Sequence, residues 1–188
     1  MLFRSTTALP IAPQPGYSRA MAVLDLMFKR WPFVALFVSA AMLAVAHAFQ
    51  AFGFAPCHLC LKEREVYWVA IAISAIAIAA EMTRYRAPAP RIASLLLAIV
   101  FGYGTYLAAF HAGAEWKWWP APETCASTGK ATMAGVMALL HGVGAKVPAC
   151  DQAAWVFLGL SMAGWNCLIS AGLVGLSLTA AARKGTAR

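Results

Sequence analysis

Charged side chains are scarce in this sequence. Only 12% of the 188 residues are charged and 62% are hydrophobic, whereas a soluble domain averages about 25% charged and about 45–50% apolar residues. Such a composition excludes an ordinary water-soluble domain. We therefore predict an integral membrane protein.

Four apolar runs supply the predicted spans, at residues 31–54, 66–80, 92–114 and 155–182. A helix of about 20 residues crosses a bilayer core of roughly 30 Å. The second run reaches that length only when it is extended back to Cys57, which places four charged residues, Lys62 to Glu65, in its first two turns. We predict an all-α integral membrane four-helix bundle over residues 31–182, with a long periplasmic loop at 113–154 between helices 3 and 4.

The net charge of +8 is not gathered into a basic patch interleaved with exposed aromatic residues, so the sequence gives no sign of nucleic-acid binding. Basic residues are instead concentrated before the first run, between the second and third, and after the fourth. The positive-inside rule therefore places both termini in the cytoplasm. The cysteine pairs then face outward, in a bacterium toward the periplasm, where disulfides persist. We expect a multi-pass protein of the bacterial inner membrane.

Residues 1–30 are expected to form a disordered cytoplasmic tail, and residues 183–188 a cytoplasmic C-terminus. Lys29-Arg30 followed by an apolar run to Ala46-His47-Ala48 also resembles a signal peptide. The run continues through Phe54, which favours an uncleaved helix. Within the long loop, residues 133–140 have the apolar spacing of a surface helix.

Cysteines are also few, 5 in all. Cys57 and Cys60 form a CxxC motif that Pro56 places at the start of a helix, where the partial positive charge of the helix end favours a thiolate. Arg64 follows at i+7, so both sulfurs and the guanidinium lie on one helix face. An arginine at this depth in a membrane predicts function, although snorkelling or pairing with a neighbouring glutamate is the alternative.

Three kinds of site compete for the CxxC motif. Zinc needs about four ligands, and Cys57, Cys60, His58 and His111 can be counted toward it, but His58 points off the face that the two cysteines share. Haem attachment wants histidine directly after the second cysteine, where Leu61 stands. A redox dithiol remains as the favoured interpretation, with no metal.

Cys125 and Cys150 could form a structural disulfide that stabilises the loop by roughly 3 kcal/mol. A second dithiol on the same membrane face favours a relay instead, because thiol–disulfide exchange can pass electrons between two pairs. Cys167, among apolar residues, is interpreted as an inert packing thiol.

The four histidines and Asn166 differ in the roles that their positions predict. His58, between the two cysteines, is expected to favour a thiolate. His111 could help to bind a polar head group, whereas His47 and His141 are taken as structural. Asn166 is interpreted as an interhelical hydrogen-bond donor.

Three segments resemble the disulfide bond formation protein B (DsbB) family. Cys57 to Arg64 reads CHLCLKER, which is similar to the family's CxxC followed by Glu-Arg at the top of its second helix. The stretch from Cys150 through Trp165 is similar to the family's entrance into helix 4, and the stretch from His111 to Cys125 to its loop. The resemblance covers about residues 31–182.

The resemblance implies a thiol:quinone oxidoreductase that reoxidises a periplasmic DsbA-like thiol oxidase and passes electrons to ubiquinone or menaquinone in the membrane quinone pool. Carried over by position, Cys125 forms the mixed disulfide with the partner and Cys150 is its mate. Cys57 and Cys60 receive the electrons, and Cys60 with Arg64 faces the quinone. The alternatives are a membrane thiol reductase or quinone-epoxide-reductase-like enzyme running in the opposite direction, or a non-enzymatic membrane protein with a structural disulfide.

Overall fold

The computed structural model describes residues 15–83, 88–122, 125 and 149–183. These ranges contain five helices and one two-stranded antiparallel hairpin. In chain order the elements are α1 (Pro15–Lys29), α2 (Trp31–Ala51), α3 (His58–Glu81), α4 (Ala89–Glu115), β1 (Val156–Phe157), β2 (Leu160–Ser161) and α5 (Met162–Ala182).

Side chains and backbone geometry explain where the helices begin and end. Pro32 lies in the first turn of α2, where its missing N–H is not needed. After α2 the chain reverses through Gly53, whose φ of 94° is readily adopted by glycine. The Cys57 sulfur caps α3 by accepting a hydrogen bond from the Cys60 amide, and the Ser161 hydroxyl caps α5 in the same way from Gly164.

The long helices pack around a core built from α2, α3, α4 and α5. The most extensive contact joins α4 to α5, and α3 packs against both α2 and α4. Trp31, Leu97 and Phe101 are almost fully buried in this core. The Trp31 indole donates a hydrogen bond of 3.1 Å to the Ser177 hydroxyl, which ties the start of α2 to the end of α5.

Three helices, α2, α4 and α5, are long and apolar enough to cross a membrane. Helix α3 is of comparable length at 24 residues but carries Lys62 to Glu65 near its start and Glu81 at its end. Large apolar side chains in the middle of α2, α3 and α4 point outward, with Phe37 74%, Ile76 69% and Ile99 69% exposed. An outer surface of this kind is suited to lipid rather than to water.

The expectation of disorder over residues 1–30 is wrong for Pro15–Lys29, which form α1. Good helix formers occur together in Ala20-Met21-Ala22, and Asp25 pairs with Lys29 one turn later at 2.7 Å. Arg183 also reaches Asp25 at 3.2 Å. The helix propensity of these residues favours α1, and the exposed ion pairs add little to it. Residues 1–14 lie outside the described part of the chain.

The fourth predicted span begins later than its apolar run. Residues 156–161 form the β1–β2 hairpin, and α5 starts only at Met162. The hairpin turns at Leu158 and Gly159, both with positive φ, and β-branched and aromatic residues favour its first strand. The predicted helix at 133–140, His141 and most of the 113–154 loop lie outside the described residues.

Gly104 marks a close helix contact that Gly102 does not share. A Cβ at Gly104 would lie 2.9 Å from Cγ1 of the buried Val66, whereas a Cβ at Gly102 meets nothing within 4 Å. We expect Gly104→Ala to lower the free energy of unfolding by about 1–3 kcal/mol through overpacking. Gly102→Ala should be neutral or stabilising by up to about 1 kcal/mol. Unfolding in detergent, followed by circular dichroism, measures both; equal effects would contradict the assigned contact.

Candidate active site

Cys57 and Cys60 lie at the N-terminus of α3, as the sequence predicts. Cys57 is the N-cap residue in extended conformation, and its sulfur is 3.2 Å from the Cys60 amide nitrogen. Cys57 is 3% exposed, whereas Cys60 is half-buried. Both are free thiols in this structure. The cap position brings the Cys57 sulfur into the partial positive charge of the helix end, which stabilises a thiolate.

The loop cysteines form a disulfide, Cys125–Cys150, which packs directly on the CxxC motif. Cys57, Leu59, Cys125 and Cys150 make up one buried cluster, with Cys60 at its edge. The structure thus brings together two cysteine pairs that are separated by more than sixty residues of sequence. Contact of this kind is the geometric requirement for exchange between the pairs.

Cys57 has a pKa below the ordinary range of a thiol. The largest cause is a side-chain hydrogen bond with Cys60, and backbone amides of the helix end act in the same direction. Burial opposes them by penalising the charged form. At a given pH the thiolate fraction of Cys57 is therefore larger than that of an ordinary cysteine, so Cys57 is suited to exchange.

His111 is the histidine that contacts the cysteine pair. Its Nε2 lies 3.6 Å from the Cys57 sulfur, and its Nδ1 lies 2.7 Å from Oε1 of Glu63. His58, which sequence reasoning placed beside the thiols, has an exposed side chain. The sequence suggested only that His111 binds a polar head group. The structure adds a contact between His111 and Cys57, which the sequence does not indicate.

Glu63 forms an interhelical network that sequence reasoning missed. Its Oε2 accepts a hydrogen bond of 2.6 Å from the Asn166 amide, and Asn166 in turn accepts one from the Tyr67 hydroxyl. The interhelical role predicted for Asn166 is therefore seen, but its partner was not foreseen. The only sequence signal was a carboxylate within a predicted span, and such a residue is expected to face the protein interior.

An apolar cavity of about 460 Å³ opens beside α3. Cys60, Arg64 and His111 line it, whereas Cys57 is not among its lining residues. Its wall is rich in aromatic rings, supplied by Phe49, Phe54, Trp155, Phe157 and Trp165. The two thiols therefore face different neighbours: Cys57 lies against the loop disulfide and Cys60 against the cavity.

The hydrogen bonds that the Arg64 guanidinium donates go to uncharged acceptors. It donates hydrogen bonds to Oε1 of Gln50 at 2.7 Å and to the Ala46 carbonyl at 2.9 Å. Its neighbours Glu63 and Glu65 pair with His111 and Lys62 instead, and within the described residues Arg64 forms no ion pair with a carboxylate. Its positive charge is consequently not neutralised where it lines the cavity.

The zinc alternative is incomplete in this geometry. Cys57, Cys60 and His111 offer three atoms within 4.8 Å of one another, and among the described residues the group stops there. A structural zinc site has four ligands. Three ligands among the described residues do not complete such a site.

The hydrogen bond from Cys60 can be tested directly. We expect Cys60→Ala to raise the pKa of Cys57, because the substitution removes the side-chain hydrogen bond that lowers this pKa most. Alkylation of reduced Cys57 by iodoacetamide at pH 7 should then slow by roughly tenfold for each pKa unit. Cys167→Ala, at a half-buried thiol on α5, is the matched control and should leave the rate unchanged. An unchanged rate in Cys60→Ala would contradict the assigned cause.

One comparison with known proteins gives a match. The model of the family described as "Disulfide bond formation protein DsbB" matches residues 28–180, which include both cysteine pairs. No curated protein and no solved structure matches the chain. The match confirms the resemblance found over residues 31–182, and it makes the chain a membrane protein of disulfide bond formation, with an oxidoreductase role. The chain belongs to the DsbB family.

Proposed function

We propose that the chain is a thiol:quinone oxidoreductase of the bacterial inner membrane. It reoxidises a periplasmic thioredoxin-like dithiol partner, similar to DsbA, and so supplies disulfide bonds for secreted proteins. The observation that carries the proposal is the packing of Cys57 against the Cys125–Cys150 disulfide while Cys60 lines an apolar cavity with Arg64. A thiol relay between a soluble partner and the lipid needs both contacts.

In the proposed topology α2, α3, α4 and α5 form a four-helix transmembrane bundle with both termini in the cytoplasm. Support for α3 as the fourth span comes from its packing against α2 and α4, which are themselves long and apolar enough to cross, and from the outward Ile76. The charges at its start then lie at the outer interface, where the cysteine pairs face the periplasm. The loop at 113–154 is periplasmic in this proposal.

The relay runs through two exchanges. A partner thiolate attacks Cys125, which breaks the Cys125–Cys150 bond and forms a mixed disulfide that the partner's second thiol resolves. The reduced loop pair then transfers its two electrons to an oxidised Cys57–Cys60 pair by attack on Cys57, the member packed against the loop. Each exchange breaks one disulfide and forms one. The two electrons of the partner dithiol therefore reach the Cys57–Cys60 pair without any other oxidant.

The cavity fits a quinone. Its volume of about 460 Å³ lies within the roughly 300–1,000 Å³ typical of small-molecule sites, and its aromatic wall suits a flat apolar ring. Arg64 and His111 would hold the polar oxygens, with ubiquinone or menaquinone as the ligand. When bound, the quinone accepts two electrons and two protons. The uncompensated charge of Arg64 would stabilise negative charge that develops on an oxygen beside Cys60.

Purified protein tests the proposal. Mixed with quinone and a reduced DsbA-like partner, it should produce quinol and oxidised partner in equal amounts, and replacement of Cys57 by serine should abolish both. Absence of quinone consumption would overturn the proposal. A reaction that proceeds only from quinol and oxidised partner would favour the reductase alternative. A Cys57/Cys60 pair that never changes redox state would favour a non-enzymatic membrane protein.

Arg64 should act on the quinone and not on the partner. We expect Arg64→Ala to lower kcat/KM for quinone by roughly a hundredfold, as when one electrostatic stabiliser is removed from an active site. Single-turnover exchange with the partner at Cys125, measured without quinone, should stay within about twofold of the parent, because only quinone binding is affected. Lys62→Ala, at an exposed cation paired with Glu65, is the matched control. Equal loss of both activities would show that Arg64 is structural.

A further inference from the structure

Glu63 is a buried carboxylate with both oxygens engaged. It is 8% exposed, and its two oxygens bind His111 on α4 and Asn166 on α5. A carboxylate taken out of water at the meeting of three helices is costly unless it is hydrogen-bonded in this way. Such an arrangement indicates a role that an apolar side chain could not perform.

His111 connects this carboxylate to the thiol. One ring nitrogen, Nδ1, lies 2.7 Å from Glu63, and the other, Nε2, lies 3.6 Å from the Cys57 sulfur. In a neutral ring whose Nδ1–H donates to Glu63, Nε2 carries a lone pair directed toward Cys57. The geometry therefore presents a proton acceptor to the thiol.

We propose that His111, oriented and charge-stabilised by Glu63, takes the Cys57 thiol proton during disulfide exchange and returns it when Cys57 departs as a thiolate. When the reduced Cys57–Cys60 pair is oxidised again, the S–H bond of Cys57 breaks, the proton moves to Nε2 of His111, and the electron pair stays on sulfur. A thiolate and an imidazolium result, so charge and electrons balance. This inference deepens the proposed function and rests on it for the identity of the exchange.

Asn166 positions the carboxylate. Its Oδ1 accepts from the Tyr67 hydroxyl, which also lies 3.2 Å from the Ser170 hydroxyl. With the amide oxygen engaged by Tyr67, the amide nitrogen must point at Glu63, where it lies 2.6 Å away. Helix α5 thus fixes one carboxylate oxygen and leaves the other for His111. Asn166 is accordingly a positioning residue with no contact to sulfur.

The charge of Glu63 has two opposite effects on ionisation of Cys57: it stabilises an imidazolium at His111 and it repels a thiolate at Cys57. Glu63 on α3 and Glu115 on α4, the latter 3.8 Å from Nε2, both favour an imidazolium, while Cys57 and Cys60 are the thiols that it faces. Helix α5 contributes the neutral Asn166. Taken alone, the charge of Glu63 raises the pKa of Cys57 by repelling the thiolate. The proposal and simple repulsion therefore predict opposite signs for removal of Glu63.

The experiment uses the full chain in detergent with Cys60→Ala, Cys125→Ser, Cys150→Ser and Cys167→Ser, so that Cys57 is the remaining cysteine of the 5. Its alkylation rate by iodoacetamide is measured from pH 5 to pH 11. Glu63→Gln should slow the reaction roughly tenfold at pH 7, equivalent to about one pKa unit, and the rates should converge at high pH where every thiol is ionised. Asn166→Leu should give a smaller decrease of the same form.

Glu65→Gln is the matched control, since Glu65 lies on the same helix but is exposed and pairs with Lys62. Its rate should equal that of the background. A faster or unchanged rate in Glu63→Gln overturns the proposal, because repulsion alone then accounts for the carboxylate. A decrease of equal size at every pH also overturns it, because it reports altered access and not proton transfer.

A second measurement needs no substitution at Glu63. Nitrogen-15 spectra of histidine-labelled parent protein, with the His111 signal assigned by its loss in His111→Gln, should show the Nδ1–H tautomer in the neutral ring. An Nε2–H tautomer would overturn the proposal. Neither measurement involves quinone or partner, so failure here leaves the proposed function standing, and failure of quinone reduction leaves these results interpretable.

Discussion

The site depends on the hydrogen bonds of Glu63. Through His111 and Asn166 this one carboxylate joins α3 to α4 and α5, and the Tyr67 hydroxyl adds a second polar link from α3 to α5. A buried polar network with every member satisfied specifies one arrangement of the elements around it, because each alternative packing leaves a partner unpaired. The position of His111 beside Cys57 is therefore a consequence of how the helices are held together.

The CxxC motif is useful because its two sulfurs have different surroundings. A separation of three residues at a helix start keeps both thiols close enough for a disulfide, while Cys57 is buried against the loop pair and Cys60 lines the cavity. In the proposed relay, electrons that arrive at one sulfur can then leave from the other without movement of the helix. The loop disulfide is attached to the same cluster by packing, so transfer between pairs requires only local exchange of bonds.

Local features of this site could be predicted from the sequence, and distant contacts could not. The helix start at Cys57 and the common face of Cys60 and Arg64, which both line the cavity, follow from short-range spacing. The apolar runs locate the long helices to within a few residues, apart from the late start of α5. The contacts of Glu63 join residues 48 and 103 positions apart. No periodicity encodes such pairs. Helix α1 was missed although Ala20-Met21-Ala22 are good helix formers, and the hairpin was missed because its turn residues Leu158 and Gly159 stand within a continuous apolar run.

Neighbouring charges on α3 serve separate purposes because of helical geometry. Successive residues project about 100° apart around a helix, so Glu63 points toward α4 and α5 while Arg64 points toward α2 and binds Gln50 and Ala46. Had Glu63 paired with Arg64, His111 would have no carboxylate partner on α3. Their divergence places the Arg64 cation beside the cavity that Cys60 lines and leaves Glu63 to His111, which contacts Cys57. In the proposed mechanism the Glu-Arg dipeptide after the CxxC motif thus serves the quinone side and the thiol side from adjacent positions.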